Sequence, residues 1–394
     1  MIARIILPLI LLILLPDIYL YIKFIHKKKT CFKLFNKYIW WLPSLFLVVY
    51  AIILSLIGNF APKNISWLTT FLIILGIIAG GKLIFSIILI ISEFIYKLFA
   101  RNVKKIIYII PSIVTFSFCV LYLYGWFWGV AEIKVKKLDL KFKDLPSQFD
   151  GYKIVHVSDL HLGSFKGWRK NILKAELDSI KAQHPNKIFF TGDLQNMSPN
   201  EVYEFIPLLR AYMPNTIAVL GNHDYSSYMK LSYKKSQYQE QLLKDLVKDS
   251  LKWTLLTNSN IKLYAKPKKD SSYIVVCGGE NDGLPPFPSK VNFHRMMNGI
   301  NKTDFVIMLQ HDPAAWKRNI LTKTNAQLTL SGHTHGGQMQ FFGFRPTQLI
   351  QSEDLGLYNY KGRYLYITAG LGGLASFRIN MPNEITVITL HKSL

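Results

Sequence analysis

Five short polar clusters in the second half of the sequence contain residue types that bind divalent metal ions. Asp159 and His161 form the first cluster, and His333 and His335 form the last. The residues of each pair stand two positions apart, so an extended backbone places their side chains on one side. The three clusters between these pairs contribute the remaining candidates, which are Asp193, Asn222, His223, Asp224 and His311. Carboxylate, amide and imidazole ligands without thiolate favour Mn, Fe or Zn over Ca or Mg.

This set of candidate ligands is too large for one ion and suits two. A shared carboxylate can bridge two ions that lie about 3.5–4 Å apart, and this arrangement supports in-line displacement at phosphorus. A single His-x-His pair is more often a surface pair than a metal site. The prediction therefore depends on five clusters that occur together and in order.

Each cluster follows a short apolar run that is typical of a β-strand. These runs are Lys153–Val157, Lys187–Phe190, Thr216–Leu220, Phe305–Leu309 and Gln327–Leu330. In open α/β sheets, ligands bind at the carboxyl ends of the strands, so the clusters are expected to converge on one rim. Further strands are predicted at Ile133–Phe142, Tyr273–Cys277, Tyr364–Thr368 and Ile385–Leu390, and helices at Trp168–His184, Glu201–Tyr212, Gln237–Asp249 and Pro313–Leu321. This alternation predicts an α/β layered domain, with loops at Leu284–Pro288 and Thr347–Asn359.

The sequence motifs around these residues are specific. They are Ser158–Gly163 (SDLHLG), Gly192–Asp193, Gly221–Asp224 (GNHD), His311–Asp312 and Gly332–Gln338 (GHTHGGQ). Together they resemble the calcineurin-like metallophosphoesterase superfamily over about residues 150–390. Within it the chain is most similar to the membrane-associated bacterial branch, which includes diacylglucosamine-pyrophosphate hydrolases and related phosphodiesterases.

The resemblance implies a four-layer α/β/β/α sandwich with two mixed sheets and a centre of two divalent metal ions. Carried over by position, one ion takes Asp159, His161 and His335, the other takes Asn222, His311 and His333, and Asp193 bridges them. His223 is then not a ligand but faces the substrate as an acid or charge stabiliser, and Asp224 orients it. Many relatives have a carboxylate three residues after the bridging aspartate, where this sequence has Asn196.

The first third of the sequence is almost entirely apolar and predicts four membrane-spanning helices. They are expected at Ile5–Ile25, Tyr38–Ile57, Trp67–Ile91 and Ile106–Trp128. The first could instead be a signal peptide, but no small-x-small cleavage site follows it. The predicted division is a membrane region over residues 1–130 and a catalytic domain over residues 131–394.

The basic residues of the short loops predict the orientation. The first and third loops carry Lys27, Lys28, Lys29, Lys33 and Lys37, and Lys97, Arg101, Lys104 and Lys105, whereas the second carries only Lys63. The first and third loops are therefore expected in the cytoplasm, which places the catalytic domain outside the cytoplasmic membrane. Asp17 and Lys82 lie inside spans, and either they pair or Lys82 reaches the interface while Asp17 lines a polar kink.

The substrate is expected to carry its phosphate at the membrane surface, most simply on a lipid. Residues 134–394 hold 34 basic and 21 acidic residues, a surplus that favours anionic partners. Apolar residues in Leu284–Phe293 and Phe341–Phe344 are candidates to receive acyl chains. The alternatives are a phosphoesterase for soluble substrates, a non-catalytic membrane receptor that keeps the fold, and a transporter with an accessory domain. No nucleic acid partner is indicated, and monoester, diester and pyrophosphate substrates are not distinguished.

Overall fold

The chain folds into two compact units, Met1–Trp128 and Gly129–Leu394. The computed structural model describes residues 2–26, 33–57, 65–99, 106–229, 231–265 and 272–393. Seven of the basic loop residues on which the predicted orientation depends lie outside the described residues, namely Lys27, Lys28, Lys29, Lys63, Arg101, Lys104 and Lys105.

The described residues of the N-terminal unit are helical except at a few positions next to the helix ends. Its helices are α1 (Ile2–Phe24), α2 (Lys33–Leu56), α3 (Ile65–Leu75), α4 (Gly81–Phe99) and α5 (Ile106–Phe127). A π-helical turn at Gly76–Gly80 joins α3 to α4, so the structure has four segments long and apolar enough to span a membrane. The prediction of four apolar membrane helices is confirmed. The third segment extends further than predicted, to Leu98, and within this extension Glu93 is paired with Lys23 on α1. Lys97 therefore lies on α4 and not in a loop.

The two charged residues inside the predicted spans form an ion pair. Asp17 on α1 is fully buried, and Lys82 on α4 donates to its carboxylate and to Ser44 Oγ on α2, at 3.3 Å. The ammonium also lies 4.9 Å from the centre of the Trp40 ring. The pairing left open by the sequence is thus present, and it joins three helices through groups that are costly to bury alone.

The C-terminal unit contains two six-stranded sheets. Its strands are β1 (Ile133–Phe142), β2 (Tyr152–Val157), β3 (Lys187–Phe190), β4 (Ile217–Ala218), β5 (Thr254–Leu255), β6 (Ser259–Tyr264), β7 (Tyr273–Gly278), β8 (Val306–Leu309), β9 (Leu328–Ser331), β10 (Gly356–Tyr360), β11 (Arg363–Ile367) and β12 (Asn383–Lys392). The first sheet has the order β1-β12-β2-β3-β4-β5, and the second has the order β10-β11-β9-β8-β7-β6. In both sheets the central strands are parallel and carry the predicted polar clusters at their carboxyl ends.

The helices of this unit are α6 (Lys170–Lys181), α7 (Ile206–Tyr212), α8 (Tyr233–Asp245), α9 (Phe293–Met296) and α10 (Leu321–Lys323). One hydrophobic core lies between the sheets and includes Phe189, Ile307 and Tyr366. Two further cores lie on the outer faces, one including Leu173 on α6 against the first sheet and one including Trp316 against the second. The layers are therefore α/β/β/α, as the resemblance implied.

Three strands were not predicted. The expected loop Thr347–Asn359 runs into β10, which pairs antiparallel with β11 at the edge of the second sheet. Its side chains are largely exposed, so its sequence lacks the apolar signal of a buried strand. The other two, β5 and β6, are likewise edge strands.

Candidate metal centre

The strand ends bring the predicted site residues to one rim. Hydrogen bonds between the loops after neighbouring strands fix their relative positions. The amide of Asp159 donates to Gly192 O at 2.9 Å, and the amide of Gly332 donates to His311 O at 3.1 Å. Strand order therefore brings the loops of each sheet together, and the bond from His311 Nδ1 to Thr191 O, at 2.7 Å, joins the two sheets.

Five of the predicted ligands have a backbone in the left-handed region, which is costly for residues other than glycine. Their φ angles are 56° at Asp159, 48° at His161, 58° at Asp193, 74° at His333 and 51° at His335. Strain of this kind persists only where surrounding structure enforces it. Its concentration at the five residues marks the rim as a functional site.

Two glycines allow the loops to approach the acidic side chains. A Cβ on Gly221 would lie 2.1 Å from Asp193 Oδ1, and a Cβ on Gly332 would lie 2.3 Å from Asp159 Oδ2. Any side chain at either position would displace a carboxylate. The glycines of the GNHD and GHTHGGQ motifs are thus required by the packing of the site.

The first group of candidate ligands is Asp159, His161 and His335, whose ligand atoms lie within 4.8 Å of one another. His335 Nε2 is 3.5 Å and His161 Nε2 is 3.9 Å from Asp159 Oδ1. The buried atom His161 Nε2, which faces Asp159, has no hydrogen-bond partner among the described residues. Buried nitrogens without a partner are costly unless something binds them, which fits a metal ion at this position.

The second group is Asp193, His311 and His333, also within 4.8 Å of one another, together with Asn222. Asn222 Oδ1 lies 3.0 Å from His311 Nε2 and 2.7 Å from His333 Nδ1. The other nitrogen of His311, Nδ1, donates to Thr191 O at 2.7 Å. That bond fixes the ring so that Nε2 faces the site.

The carboxylate of Asp193 lies between the two groups. Its Oδ2 is 3.5 Å from His161 Nε2 and 3.3 Å from His311 Nε2. Its Oδ1 accepts the amide of His223 at 2.9 Å. This is the position that a bridging ligand must occupy.

Burial and the Asp193 carboxylate act in opposite directions on the charge states of the histidines. Burial lowers the pKa of both His161 and His335 to about 3, so these rings are neutral, as metal ligands must be. Although burial alone would raise it, the charges of His311 and His223 hold the pKa of Asp193 well below its usual range. Burial likewise opposes charge on His311, but the Asp193 carboxylate raises its pKa to about 10. The site thus concentrates negative charge at Asp193, where a cation is best stabilised.

The structure changes the role expected of Asp224. Its carboxylate accepts the amides of Asp193 at 2.8 Å, Leu194 at 2.9 Å and Gly221 at 2.9 Å, so it organises the backbone beneath the site. The His223 ring is instead held by a bond from Nδ1 to Asn196 O, at 2.6 Å. The Asp224 carboxylate is on a short side chain and already accepts these backbone amides. It therefore does not orient the His223 ring directly.

Asn196 occupies the position where many relatives have a carboxylate. Its side-chain Oδ1 lies 3.0 Å from His161 Nδ1, and its Nδ2 donates to Ser164 Oγ at 3.0 Å. The amide side chain therefore orients His161 while the backbone carbonyl orients His223. A neutral residue at this position therefore makes both contacts in this protein.

Two aromatic residues at the site carried no motif signal. The ring of Tyr228 stacks on His223 with 4.3 Å between centres, and its hydroxyl accepts Asn222 Nδ2 at 2.7 Å. Phe287 packs edge-on against His333 at 4.8 Å. Both come from loops whose length and path the sequence does not reveal.

A third residue that the sequence did not indicate is Arg378, which is buried behind the site. Its guanidinium donates to the carbonyls of Gly370, at 3.1 Å, and Gly372, at 2.9 Å. The amide of Gly372 in turn donates to Asp159 O at 2.7 Å. Arg378 thus fixes the loop that supports Asp159, and only the completed fold brings it there.

The site opens into a cavity of about 380 Å³. Its lining includes polar residues from both groups and the apolar side chains of Phe287 and Ile350. Thr334, Thr347 and Gln351 complete the wall. The wall of this cavity is therefore partly polar and partly apolar.

Comparison with known proteins agrees with this geometry. Residues 152–337 match the model of the calcineurin-like phosphoesterase family, and all nine candidate residues lie in this range. The chain carries a calcineurin-like metallophosphoesterase domain. This is the domain of a phosphoester hydrolase, and the family normally binds two divalent metal ions.

Relatives of the metallophosphoesterase domain include membrane proteins. An uncharacterized metallophosphoesterase of Campylobacter jejuni is 28% identical over 65% of this chain and 63% of its own length. A transmembrane protein with metallophosphoesterase domain from Danio rerio is 25% identical over 70% of this chain and 61% of its own. The UDP-2,3-diacylglucosamine pyrophosphatase LpxG of Chlamydia muridarum is 23% identical over 65% of this chain and 88% of its own. The chain thus spans less than two thirds of the first two relatives, and its four apolar helices are those of a membrane protein.

Proposed function

We propose that this protein is a dinuclear-metal-dependent phosphoesterase that hydrolyses a phosphate ester or phosphoanhydride at a membrane surface. A lipid-linked phosphodiester or pyrophosphate is the proposed substrate. The observation that carries the proposal is the convergence of two ligand groups on Asp193 beneath a partly apolar cavity. Two-ion centres with a shared carboxylate suit in-line displacement at phosphorus.

The proposed ligands are divided between the two ions as the resemblance implied. Asp159, His161 and His335 would hold one ion, Asn222, His311 and His333 the other, and Asp193 both. Nitrogen and oxygen ligands of this kind suit Mn, Fe or Zn. When bound, two such ions lower the pKa of water and neutralise charge on the phosphoryl oxygens.

The protein's own groups supply orientation and proton transfer. Because His223 Nδ1 is bonded to a backbone carbonyl, its Nε2 is the nitrogen available to the substrate. In the proposed reaction Nε2 donates a proton to the leaving oxygen, a step that contributes typically about 10²–10⁴-fold. The stacked Tyr228 ring keeps the imidazole plane fixed during that transfer.

Three observations support a lipid-linked substrate. The C-terminal region has a surplus of basic residues, and each near an anionic surface contributes about 1 kcal/mol of attraction. Phe287 and Ile350 give the cavity an apolar wall suited to acyl chains. The name of the Chlamydia relative describes a pyrophosphatase whose substrate is acylated.

The test compares kcat/KM of the full-length protein for a lipid-linked phosphoester in mixed micelles and for its water-soluble headgroup analogue. Binding energy from the acyl part is expected to raise kcat/KM by at least about tenfold. Equal values, or a preference for the soluble analogue, would remove the lipid and leave a phosphoesterase for soluble substrates. No hydrolysis of either compound with any of the three metals would favour a non-catalytic receptor.

We also propose that the catalytic domain lies outside the cytoplasmic membrane. The support is the excess of basic residues in the first and third loops of the sequence. A reporter fused after Leu394 that fluoresces only in the cytoplasm is expected to stay dark, and one active only after export is expected to work. The opposite pattern would place the domain in the cytoplasm.

A further inference from the structure

Exposed apolar side chains of the C-terminal unit are concentrated in one segment. The structure describes seven strongly exposed Phe, Leu and Ile side chains in this unit, and five of them lie within residues 341–350. These five are Phe341, Phe342, Phe344, Leu349 and Ile350, and we call this stretch the apolar segment. Leu349 is 78% and Ile350 is 89% exposed, and Phe342 is fully exposed. Several exposed apolar side chains within one short segment are unusual unless they have a partner.

A tight turn forms the tip of the apolar segment. The amide of Phe341 donates to Phe344 O at 3.0 Å, and the amide of Phe344 donates back to Phe341 O at 2.9 Å. Phe342 and Gly343 have φ angles of 50° and 85°, which place Phe342 at the end of the turn. A left-handed phenylalanine is costly, so the turn holds this aromatic ring outward against a local penalty.

The rest of the apolar segment is fixed from within. The guanidinium of Arg345 makes two bonds to the buried carboxylate of Asp354, at 2.6 and 2.9 Å. Thr347 Oγ1 donates to the same carboxylate at 2.8 Å. The exposed side chains therefore belong to a preorganised loop.

The apolar segment is also joined to the metal centre. The carbonyl of Asp354 accepts the hydroxyl of Thr334, which lies between His333 and His335. Thr347 and Ile350 line the cavity above those histidines. The apolar surface is thus continuous with the mouth of the catalytic site.

We propose that the apolar segment inserts into the interface between headgroups and acyl chains of a lipid bilayer, with Phe342 and Leu349 as anchors. The inference rests on the proposed function, because it explains how a lipid-held phosphate reaches the cavity. Side chains that project singly from a narrow turn suit fluid acyl chains, whereas protein partners require a broader matching surface. The same chain carries four helices long and apolar enough to cross a membrane, and this unit follows the last of them directly in sequence.

The test uses the full-length protein with Cys31→Ser and Cys119→Ser, reconstituted into phosphatidylcholine–phosphatidylglycerol vesicles that contain spin-labelled lipid. An environment-sensitive fluorophore is attached at Phe342→Cys and, as the matched control, at Tyr238→Cys on α8, where the native side chain is 65% exposed. Lipid quenching is expected to be about threefold or more stronger at position 342. Equal quenching at both positions would overturn the proposal, and burial of label 342 only on adding a protein extract would indicate a protein partner instead.

A second arm separates this inference from the proposed function. The double variant Phe342→Ser and Leu349→Ser is expected to lower kcat/KM for the lipid-linked phosphoester in vesicles by about tenfold, and to leave a soluble phosphodiester unaffected. Tyr238→Ser should change neither. If the unaltered protein shows no lipid preference but position 342 is quenched, the proposed substrate is wrong and the insertion stands. A lipid preference without quenching would leave the substrate in place and remove the insertion.

Discussion

The residues at the floor of the site are buried and joined by hydrogen bonds, whereas the apolar segment beside the cavity presents its side chains to solvent. At the floor, Asp224 accepts backbone amides from two loops. One ring nitrogen in each of His161, His223 and His311 is held by a hydrogen bond. In the apolar segment, Phe342 and Leu349 are exposed on a loop that the Arg345–Asp354 pair holds in place. The floor is built for phosphoryl chemistry that any substrate of the domain requires. The proposed function assigns substrate discrimination to the apolar segment, so substitutions in the two regions are expected to differ in kind.

The largest effect is expected from removing the carboxylate that joins the two ligand groups. Asp193→Ala should abolish hydrolysis of lipid-linked and soluble substrates alike and lower the metal content to one ion per chain or none, because both groups lose a shared ligand. Metal analysis and turnover of the purified protein measure this. Asp139→Ala, at an exposed aspartate on β1, is the control. An Asp193→Ala protein with two ions and near-normal turnover would contradict the proposed centre.

The next effect separates proton donation from metal binding. His223→Ala should retain its metal content and lose about 10²–10⁴-fold in kcat, because the leaving oxygen no longer receives a proton. The loss should be smaller for substrates with acidic leaving groups, which need no proton. His391→Ala, at the end of β12, is the matched substitution expected to have no effect. Loss of metal from the His223→Ala protein would make this residue a ligand instead.

A smaller effect is expected beneath the ligands, at Asn196. Asn196→Leu removes the acceptor for His161 Nδ1 and should weaken metal affinity or activity by about 10–100-fold. Asn196→Asp keeps the acceptor, so it should retain most of the affinity. Metal titration of both variants distinguishes orientation of His161 from simple packing, since packing alone predicts similar behaviour for the two.

The smallest expected effect concerns the Tyr228 hydroxyl. Tyr228→Phe retains the ring stacked on His223 but loses the bond to Asn222 Nδ2. One neutral hydrogen bond contributes about 0.5–1.5 kcal/mol, so metal affinity should fall by about two- to tenfold. Tyr228→Leu also removes the ring and should lower kcat further for poor leaving groups. Identical values for the two variants would remove the proposed support of His223 by the ring.

The floor was predictable from sequence because its residues lie directly after strands. Runs such as Lys187–Phe190, which coincides with β3, carry a clear apolar signal, and parallel strands bring the residues at their carboxyl ends to one edge. The strand ends therefore place Asp159 beside Asp193 at the edge of the first sheet and His311 beside His333 at the edge of the second, whereas the contact between the two sheets is not indicated by any local pattern. The role of Asp224 was less predictable, because competition between backbone amides and a ring for one carboxylate is decided by loop geometry.

The apolar segment and the contacts between distant loops were not predictable to the same degree. Phe341–Phe344 appeared in sequence only as an apolar stretch, and no local pattern indicated the Arg345–Asp354 pair that holds the loop after it. Arg378 supports Asp159 through Gly372, which lies 213 positions after Asp159 in the chain. Likewise, the pairing of Asp17 with Lys82 required helix positions that hydropathy does not supply. Contacts between distant loops carry no local pattern, so the sequence leaves them open.

The central claim is that two ions held on one carboxylate are needed for hydrolysis. The most direct measurement is a titration of chelator-treated full-length protein with Mn²⁺, in which bound ions per chain and hydrolysis of a soluble phosphodiester are followed together. Activity is expected to rise mainly as the second ion binds and to reach its maximum at two ions per chain. Full activity with one ion bound, or binding of two ions without hydrolysis of any phosphoester, would contradict the account.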